Sequence, residues 1–104
     1  MFVKIHKSYR DVVAICDSEL IGKKFEDEKF QLDVKENFYM GDKVSEKEAI
    51  EIMKDMIKED ATFNIIGKRS TDAALVAEII SEEQIGKIAG IPFAMVLGWK
   101  TKYI

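Results

Sequence analysis

The residues best suited to chemistry in this chain lie where an apolar run meets a helix-like run. The segment reads "NIIGKRS" and begins at Asn64. Gly67 would let the backbone approach a ligand closely, and Ser70 could cap the following helix while free N–H groups face an anion. Lys68 and Arg69 would add positive charge. The segment therefore predicts an anion or nucleic-acid site, with Asn64 beside it.

Two other interpretations of this segment are a P-loop and a tight turn. A P-loop also ends in Gly-Lys-Ser/Thr, but Arg69 occupies the Ser/Thr place and Thr62 stands where the first glycine is needed. The P-loop interpretation therefore fails at two positions. The other alternative is a tight turn with an ordinary helix cap and solvated charges. It is the commoner arrangement, because helices generally have caps whereas few of them bind anions.

A second candidate segment, "CDSELIGKKF", begins at Cys16. Cys16 follows an apolar run, and a nucleophilic thiol needs a nearby cation or helix N-terminus to lower its pKa. The only histidine that could act as a general base for Cys16 is His6, which is distant in sequence. A buried, unreactive Cys16 is therefore favoured. Asp17 is expected at a turn or cap, with contact to a polar ligand as its functional alternative. Lys23 and Lys24 could extend the basic surface.

Composition and charge limit the classes of protein. The chain has 104 residues, of which 47% are hydrophobic and 34% charged, as expected for one folded domain over 1–104. A single cysteine excludes an internal disulfide and favours a reducing, cytoplasmic location. Neither a signal peptide nor a membrane-spanning segment is apparent. With one histidine and no recognisable ligand spacing, we expect neither a metal nor a cofactor.

The net charge of −3 is unevenly distributed along the chain. Residues 26–60 carry six basic and twelve acidic residues, whereas both flanking parts carry a small excess of basic residues. An acidic protein binds nucleic acid only through a local basic patch, and the two ends of the chain could supply one. The chain has two arginines, Arg10 and Arg69, and arginine is the side chain suited to bidentate phosphate contacts.

Hydrophobic periodicity predicts an α+β domain with the order β-β-β-α-β-α-β-β and a mixed, mostly antiparallel sheet. The predicted strands are "MFVKIHK", "VVAIC", "KFQLDV", "TFNII", "IGKIA" and "FAMVLGW", and the last two flank a turn at "GIP". Between the third strand and the first helix, Phe38, Tyr39 and Met40 are expected to pack on the core. Trp99 and Tyr103 near the end could cover the core or form an interface.

Two helices are predicted, and their start signals differ. In "SEKEAIEIMKDMIKED", Ser45 and Glu48 form a capping box, and Met53 and Met56 fall on the apolar face as core filler. The second helix covers "RSTDAALVAEII". Its small alanines would let it lie close to the sheet.

Four segments in the same order resemble a small, mostly archaeal family known as domain of unknown function four-two-four. They are "AICDSELIGKKF", "NFYMGDKVSEKEAIEIM", "NIIGKRSTDAALVAEIIS" and "IGKIAGIPFAMV", and they span nearly the whole chain. The family's Cys-Asp-x-x-Leu-x-Gly-Lys segment is matched by Cys16, Asp17, Leu20, Gly22 and Lys23. The resemblance implies an archaeal cytoplasmic protein and brings no established activity, substrate or catalytic residue.

Two further motifs of the family bear on function. Its Asn-x-x-Gly-x-Arg segment is matched at Asn64, Gly67 and Arg69. Its Gly-x-Pro-His-Ala turn is matched except that Phe93 replaces the histidine. The replacement argues against histidine chemistry at that turn in this chain.

Three functions remain open from sequence. The leading hypothesis is a non-catalytic module that binds RNA or a ribonucleoprotein partner of the translation machinery through the basic residues. The second is an enzyme or sensor for a small phosphorylated ligand held by the N-terminus of the second helix, with Arg69 on the anion. The third is an interaction or dimerisation subunit, so the chain is expected as a monomer or homodimer. No base, nucleophile or metal set stands out, which favours a protein that is not an enzyme.

Overall fold

The computed structural model describes residues 1–97, so the predictions for Trp99 and Tyr103 lie outside the described residues. The strands are β1 (Phe2–His6), β2 (Val12–Cys16), β3 (Lys24–Glu26), β4 (Gln31–Asp33), β5 (Asp42–Lys43), β6 (Thr62–Ile66), β7 (Gly86–Ile88) and β8 (Ile91–Val96). The helices are α1 (Glu36–Tyr39), α2 (Glu46–Lys58) and α3 (Lys68–Val76), and two 3-10 turns cover Ser18–Leu20 and Glu82–Gln84.

Six of these strands form one mixed sheet in the order β5-β1-β2-β6-β8-β7, and β3 and β4 form a separate hairpin. Strands β2 and β6 are parallel, and the other neighbouring pairs are antiparallel. The predicted α+β class and mixed, mostly antiparallel sheet are therefore confirmed. Parallel neighbours end at the same edge of a sheet. The segments that follow Cys16 and Ile66 consequently leave the sheet at one end.

One face of the sheet packs against α2 and α3. Alternate residues of the two central strands point to this face, Val13 and Ile15 from β2 and Phe63 and Ile65 from β6, and all four are buried. Alanines on α3 complete the contact, as the sequence predicts. They are Ala73 and Ala74, joined by Ala77 directly after the last residue of the helix.

Helix α2 begins at the predicted capping box. The Ser45 Oγ accepts a hydrogen bond from the Glu48 backbone N–H at 3.1 Å, and the Glu48 carboxylate accepts one from the Ser45 N–H at 3.0 Å. These bonds pair two N–H groups that a helix start otherwise leaves free. Met53 is buried and Met56 is half-buried against the same core, which confirms both as core filler.

The opposite face of the sheet is covered in part by the β3–β4 hairpin and α1. Backbone hydrogen bonds from Gly22 N–H to Val34 O (2.8 Å) and from Val34 N–H to Lys23 O (2.9 Å) extend the hairpin towards β2. A second apolar cluster forms beneath it. Its buried members are Ala14, Cys16, Leu20, Val34, Tyr39 and Ile66.

The sequence did not predict β3, α1 or β5. Each is only two to four residues long and carries little hydrophobic periodicity, because β3 is "KFE", α1 is "ENFY" and β5 is "DK". Tyr39 packs into the core as expected, and Phe38 is half-buried beside it. The expectation for Met40 is wrong, because its side chain is 47% exposed beyond the end of α1.

The closing hairpin is confirmed, with its turn one residue earlier than expected. Ile88 of β7 pairs with Ile91 of β8, so Ala89 and Gly90 form a two-residue loop. Both have positive φ, 51° and 80°, which matches the turn geometry favoured by the right-handed twist of the strands. Pro92 is therefore the second residue of β8 rather than part of the turn.

Candidate functional site

The carboxylate of Asp17, which follows the strand next to β6, caps the start of α3. Asp17 follows β2 directly, and its Oδ1 accepts hydrogen bonds from the Ser70 N–H at 2.8 Å and the Ser70 hydroxyl at 2.7 Å. Its Oδ2 accepts a bond from the Arg69 N–H at 3.1 Å. Asp17 is only 3% exposed. A buried negative charge thus lies at the positive end of the helix dipole, which stabilises both.

Gly67 allows this close approach of β6 to the Asp17 side chain. A Cβ atom on Gly67 would lie 2.3 Å from Asp17 Cγ and 2.5 Å and 2.6 Å from its two carboxylate oxygens. The backbone at Gly67 also has a φ of 111°, a conformation that residues other than glycine rarely adopt. A glycine is required here by an internal contact, without any ligand.

The expected capping role of Ser70 is wrong. Helix α3 begins at Lys68, so Ser70 is its third residue and not its cap. The Ser70 hydroxyl donates a hydrogen bond to Asp17 instead of accepting one from the backbone of the first turn. Two of the first three backbone N–H groups of the helix are bound to a protein carboxylate. An incoming anion would have to displace Asp17 to use them.

The predicted basic residues lie on two segments that the Asp17 contact joins. Lys68, Arg69, Lys23 and Lys24 are all exposed. The Lys68 ammonium pairs with the Asp72 carboxylate at 2.8 Å, one helical turn further along. Within residues 1–97, the side chains of Lys23, Lys24 and Arg69 make no hydrogen bond or ion pair. Three exposed cations in this part of the chain are therefore free of protein partners.

Asn64 does not belong to this basic group. It lies on β6 opposite Ala14 of β2 and Met95 of β8, so its side chain points to the hairpin face of the sheet, whereas α3 packs on the other face. The predicted set is thus divided: Asp17, Gly67 and Ser70 form a buried junction, the basic residues lie on the two segments that leave it, and Asn64 faces the hairpin side of the sheet.

The comparisons with known proteins agree with the described architecture. Residues 6–98 match the family model described as protein of unknown function (DUF424). The chain belongs to the DUF424 family. A crystal structure of an uncharacterized conserved protein from Methanopyrus kandleri, an archaeon, superposes with a TM-score of 0.83 at 23% identity and covers 94% of this chain and 92% of that one. That likeness shows a shared fold. No curated protein matches the chain.

The suspected family resemblance is therefore confirmed, and its motifs acquire structural meaning in this DUF424 chain. The matched Asp17 and Gly67 are the two partners of the buried cap, and Arg69 contributes a backbone N–H to it. Phe93, which stands in place of the family's histidine, lies half-buried on the hairpin face with its ring against Gly86. A Cβ on Gly86 would lie 2.9 Å from that ring.

The side chains that could act as nucleophile or base are engaged elsewhere. Burial, with a smaller contribution from the neighbouring Asp17 charge, raises the pKa of the Cys16 thiol to about 12, so the reactive thiolate is not formed near neutrality. The His6 Nε2 lies 2.8 Å from the Phe38 carbonyl, and the two rings stack at 4.4 Å. Among residues 1–97 no group of acidic, histidine or cysteine side chains has the arrangement of a metal site.

Sequence reasoning missed a groove between the hairpin and the sheet, lined by Phe30, Tyr39, Phe93 and Met95 as well as Asn64. The alternation of Phe93 and Met95 along β8 was a usable signal, because two apolar residues on one face must be covered or exposed. What could not be predicted is that the hairpin stops short of them.

Over the described residues, no helix is long and apolar enough to span a membrane.

Proposed function

We propose that this chain is a non-catalytic, cytoplasmic module that binds single-stranded RNA through the basic residues around the buried Asp17 cap. The observation that carries the proposal is the Asp17 contact itself. It joins the residue that follows β2 to the start of α3, which bears Arg69, and Lys23 and Lys24 lie further along the segment that Asp17 begins. We infer from this contact that Lys23, Lys24 and Arg69 serve one RNA-binding surface.

The state of these cations supports contact with a phosphate backbone. Lys23, Lys24 and Arg69 are exposed and form no ion pair within residues 1–97, so phosphate binding would not first require breaking a salt bridge. A flexible polyanion can meet cations spread over two segments, whereas a small phosphate needs convergent donors. The convergent donors at this junction, the Arg69 and Ser70 N–H groups, already bind Asp17. The geometry therefore favours RNA over a small phosphorylated ligand.

A salt series with matched variants tests this function. Binding of a single-stranded RNA is measured by mobility shift for the wild type and for the triple variant Lys23→Ala/Lys24→Ala/Arg69→Ala. Losing three phosphate contacts should reduce the slope of log K against log salt by about 2 and weaken binding by about 100-fold at 0.1 M salt. The control is Lys47→Ala/Lys54→Ala/Lys58→Ala, which removes the same charge from the exposed side of α2.

Two outcomes would contradict the proposal. One is the absence of RNA binding by the wild type at low salt. The other is an equal loss of affinity in both triple variants, because that would mean that net charge matters and the position of the cations does not. A loss confined to the first variant supports the proposed surface.

A further inference from the structure

The groove between the hairpin and the sheet has the features of a small ligand site. It lies between Phe30 and Leu32 of the hairpin and the faces of β6 and β8, and its volume is about 360 Å³. Volumes of this size are typical of pockets for small molecules. Phe30 and Met95 are 63% and 57% exposed, so much of its apolar wall is in contact with solvent.

Two polar groups in this groove have no protein partner. Within residues 1–97, neither the Tyr39 hydroxyl nor the Asn64 amide makes a hydrogen bond. Tyr39 is only 7% exposed, yet in that part of the chain the Ser18 Oγ is the sole fully enclosed side-chain polar atom without a partner. The Tyr39 and Asn64 polar atoms therefore keep some access to solvent. A few polar groups without protein partners in a mostly apolar pocket are suited to orienting a ligand.

The lining also restricts the charge of that ligand. Within residues 1–97 no charged side chain lines the groove, which favours a ligand that is neutral in the part that enters it. Burial raises the pKa of the Tyr39 phenol to about 12, so it stays a neutral hydrogen-bond donor. The Asn64 amide can donate and accept side by side, which is how an amide recognises the edge of a heterocycle.

We propose that this groove binds one unpaired nucleobase of the RNA, with the ring on the phenylalanine side chains and its edge on Asn64. The inference rests on the proposed function, because it names what the bases do while the cations hold the phosphates. Ile66 lines the groove, and the next residues along the chain are Gly67 of the Asp17 junction, Lys68 and Arg69. A neutral groove beside free cations complements a nucleotide, which is neutral at the base and anionic at the phosphate.

The position of the Phe93 ring favours a flat ligand. The Phe93 ring lies against Gly86, which presents no side chain that would push it away from the sheet. Stacking of a base on an aromatic side chain is tolerant of sequence, since every base has a π face, whereas the Asn64 amide can distinguish one base edge from another. The groove should therefore contribute both affinity and a base preference.

Paired oligonucleotides separate the groove from the basic surface. Affinities are measured for a hexanucleotide of each base and for an abasic hexamer with the same phosphates. The wild type should bind the preferred hexamer about tenfold or more tightly than the abasic one. Phe30→Ala should remove most of that difference and leave the abasic affinity and the salt slope unchanged. Asn64→Ala should equalise the four bases.

The control for these variants is Val76→Ala, which truncates an exposed apolar residue on α3, on the far face of the sheet. Phe30 lies at an exposed hairpin tip, and thermal unfolding checks that its variant remains folded. Equal wild-type affinity for base-containing and abasic hexamers overturns the nucleobase site while the RNA function stands. No binding of either hexamer overturns the RNA function itself. Loss of self-association by light scattering in Phe30→Ala, without any effect on base-containing hexamers, would assign the groove to a second copy of the chain.

Discussion

Helices α2 and α3 both begin with a satisfied cap, but the caps differ in origin. At α2, Ser45 and Glu48 bind each other's backbone N–H groups three residues apart, and both are exposed. At α3, the cap comes from Asp17, 53 residues before Ser70 in sequence and buried. The first cap is local and stabilises one helix. The second also joins β2 to the start of α3, so it should matter to the whole fold.

The difference also concerns function. An exposed helix start with free N–H groups can bind an anion, and the sequence "GKRS" indicates such a start. In the structure a protein carboxylate already occupies that position, and Gly67 makes room for it. Under the proposed function, phosphates would therefore contact the side chains of Lys23, Lys24 and Arg69 rather than the backbone at the start of α3.

Removing the buried cap should have the largest effect. Asp17→Ala leaves the Arg69 and Ser70 N–H groups and the Ser70 hydroxyl without their charged acceptor, and we expect the free energy of unfolding to fall by about 3–5 kcal/mol. Urea denaturation measures it. Asp17→Asn keeps an acceptor oxygen and should lose less. A loss below about 1 kcal/mol in Asp17→Ala would mean that this cap contributes no more to stability than an ordinary exposed helix cap.

Filling the space beside the cap should have the next largest effect. Gly67→Ala places a Cβ against the Asp17 carboxylate and strains a backbone with φ of 111°, so we expect a loss of about 2–3 kcal/mol. Gly90→Ala is the matched control. Gly90 also has a positive φ of 80° but no atom within 4 Å of the added Cβ, so its loss should reflect backbone strain alone. Equal losses in thermal or urea unfolding would mean that the Asp17 contact is not tight.

The local cap should contribute less. Ser45→Ala should lower the free energy of unfolding by about 1 kcal/mol. Hydrogen bonds from Ser45 hold the pKa of Glu48 below its ordinary value of 4.5, so this carboxylate stabilises the fold above that value. Its contribution is lost as the pH falls through the lowered pKa. The difference between wild type and Glu48→Ala, which removes the ionisable partner, should therefore shrink in acid, and a constant difference down to pH 2 would contradict the capping-box account.

The smallest effect at neutral pH concerns Cys16, which adjoins Asp17. Its thiol should resist alkylation in the folded protein, and unfolding in urea should expose it. Burial raises the pKa of Cys16 from 9.0 to about 12, so the folded state retains a proton that the unfolded state loses between these values. Stability should accordingly fall as the pH rises from 9 to 12, and Tyr39 adds to this trend. Cys16→Ala should flatten the profile, and an unchanged profile would show that Cys16 is not the group responsible.

The same contrast explains what the sequence could predict. The α2 cap, the buried methionines and the alternating strands are encoded within a few residues, so their patterns are visible in the sequence. The bond between Asp17 and Ser70 depends on the parallel pairing of β2 and β6, which no local pattern specifies. The groove depends on how far the β3–β4 hairpin reaches over the sheet. Both non-local features carry the proposed function, and both required the fold.

An NMR titration of the labelled protein with a single-stranded RNA hexamer tests the central claim most directly. The account expects amide shifts at Lys23 and Lys24 and in the groove at Asn64 and Met95, while the Arg69 and Ser70 amides keep their hydrogen bonds to Asp17 and their slow exchange with solvent. Shifts confined to the opposite end of the sheet, around Arg10, or none at all, would contradict it.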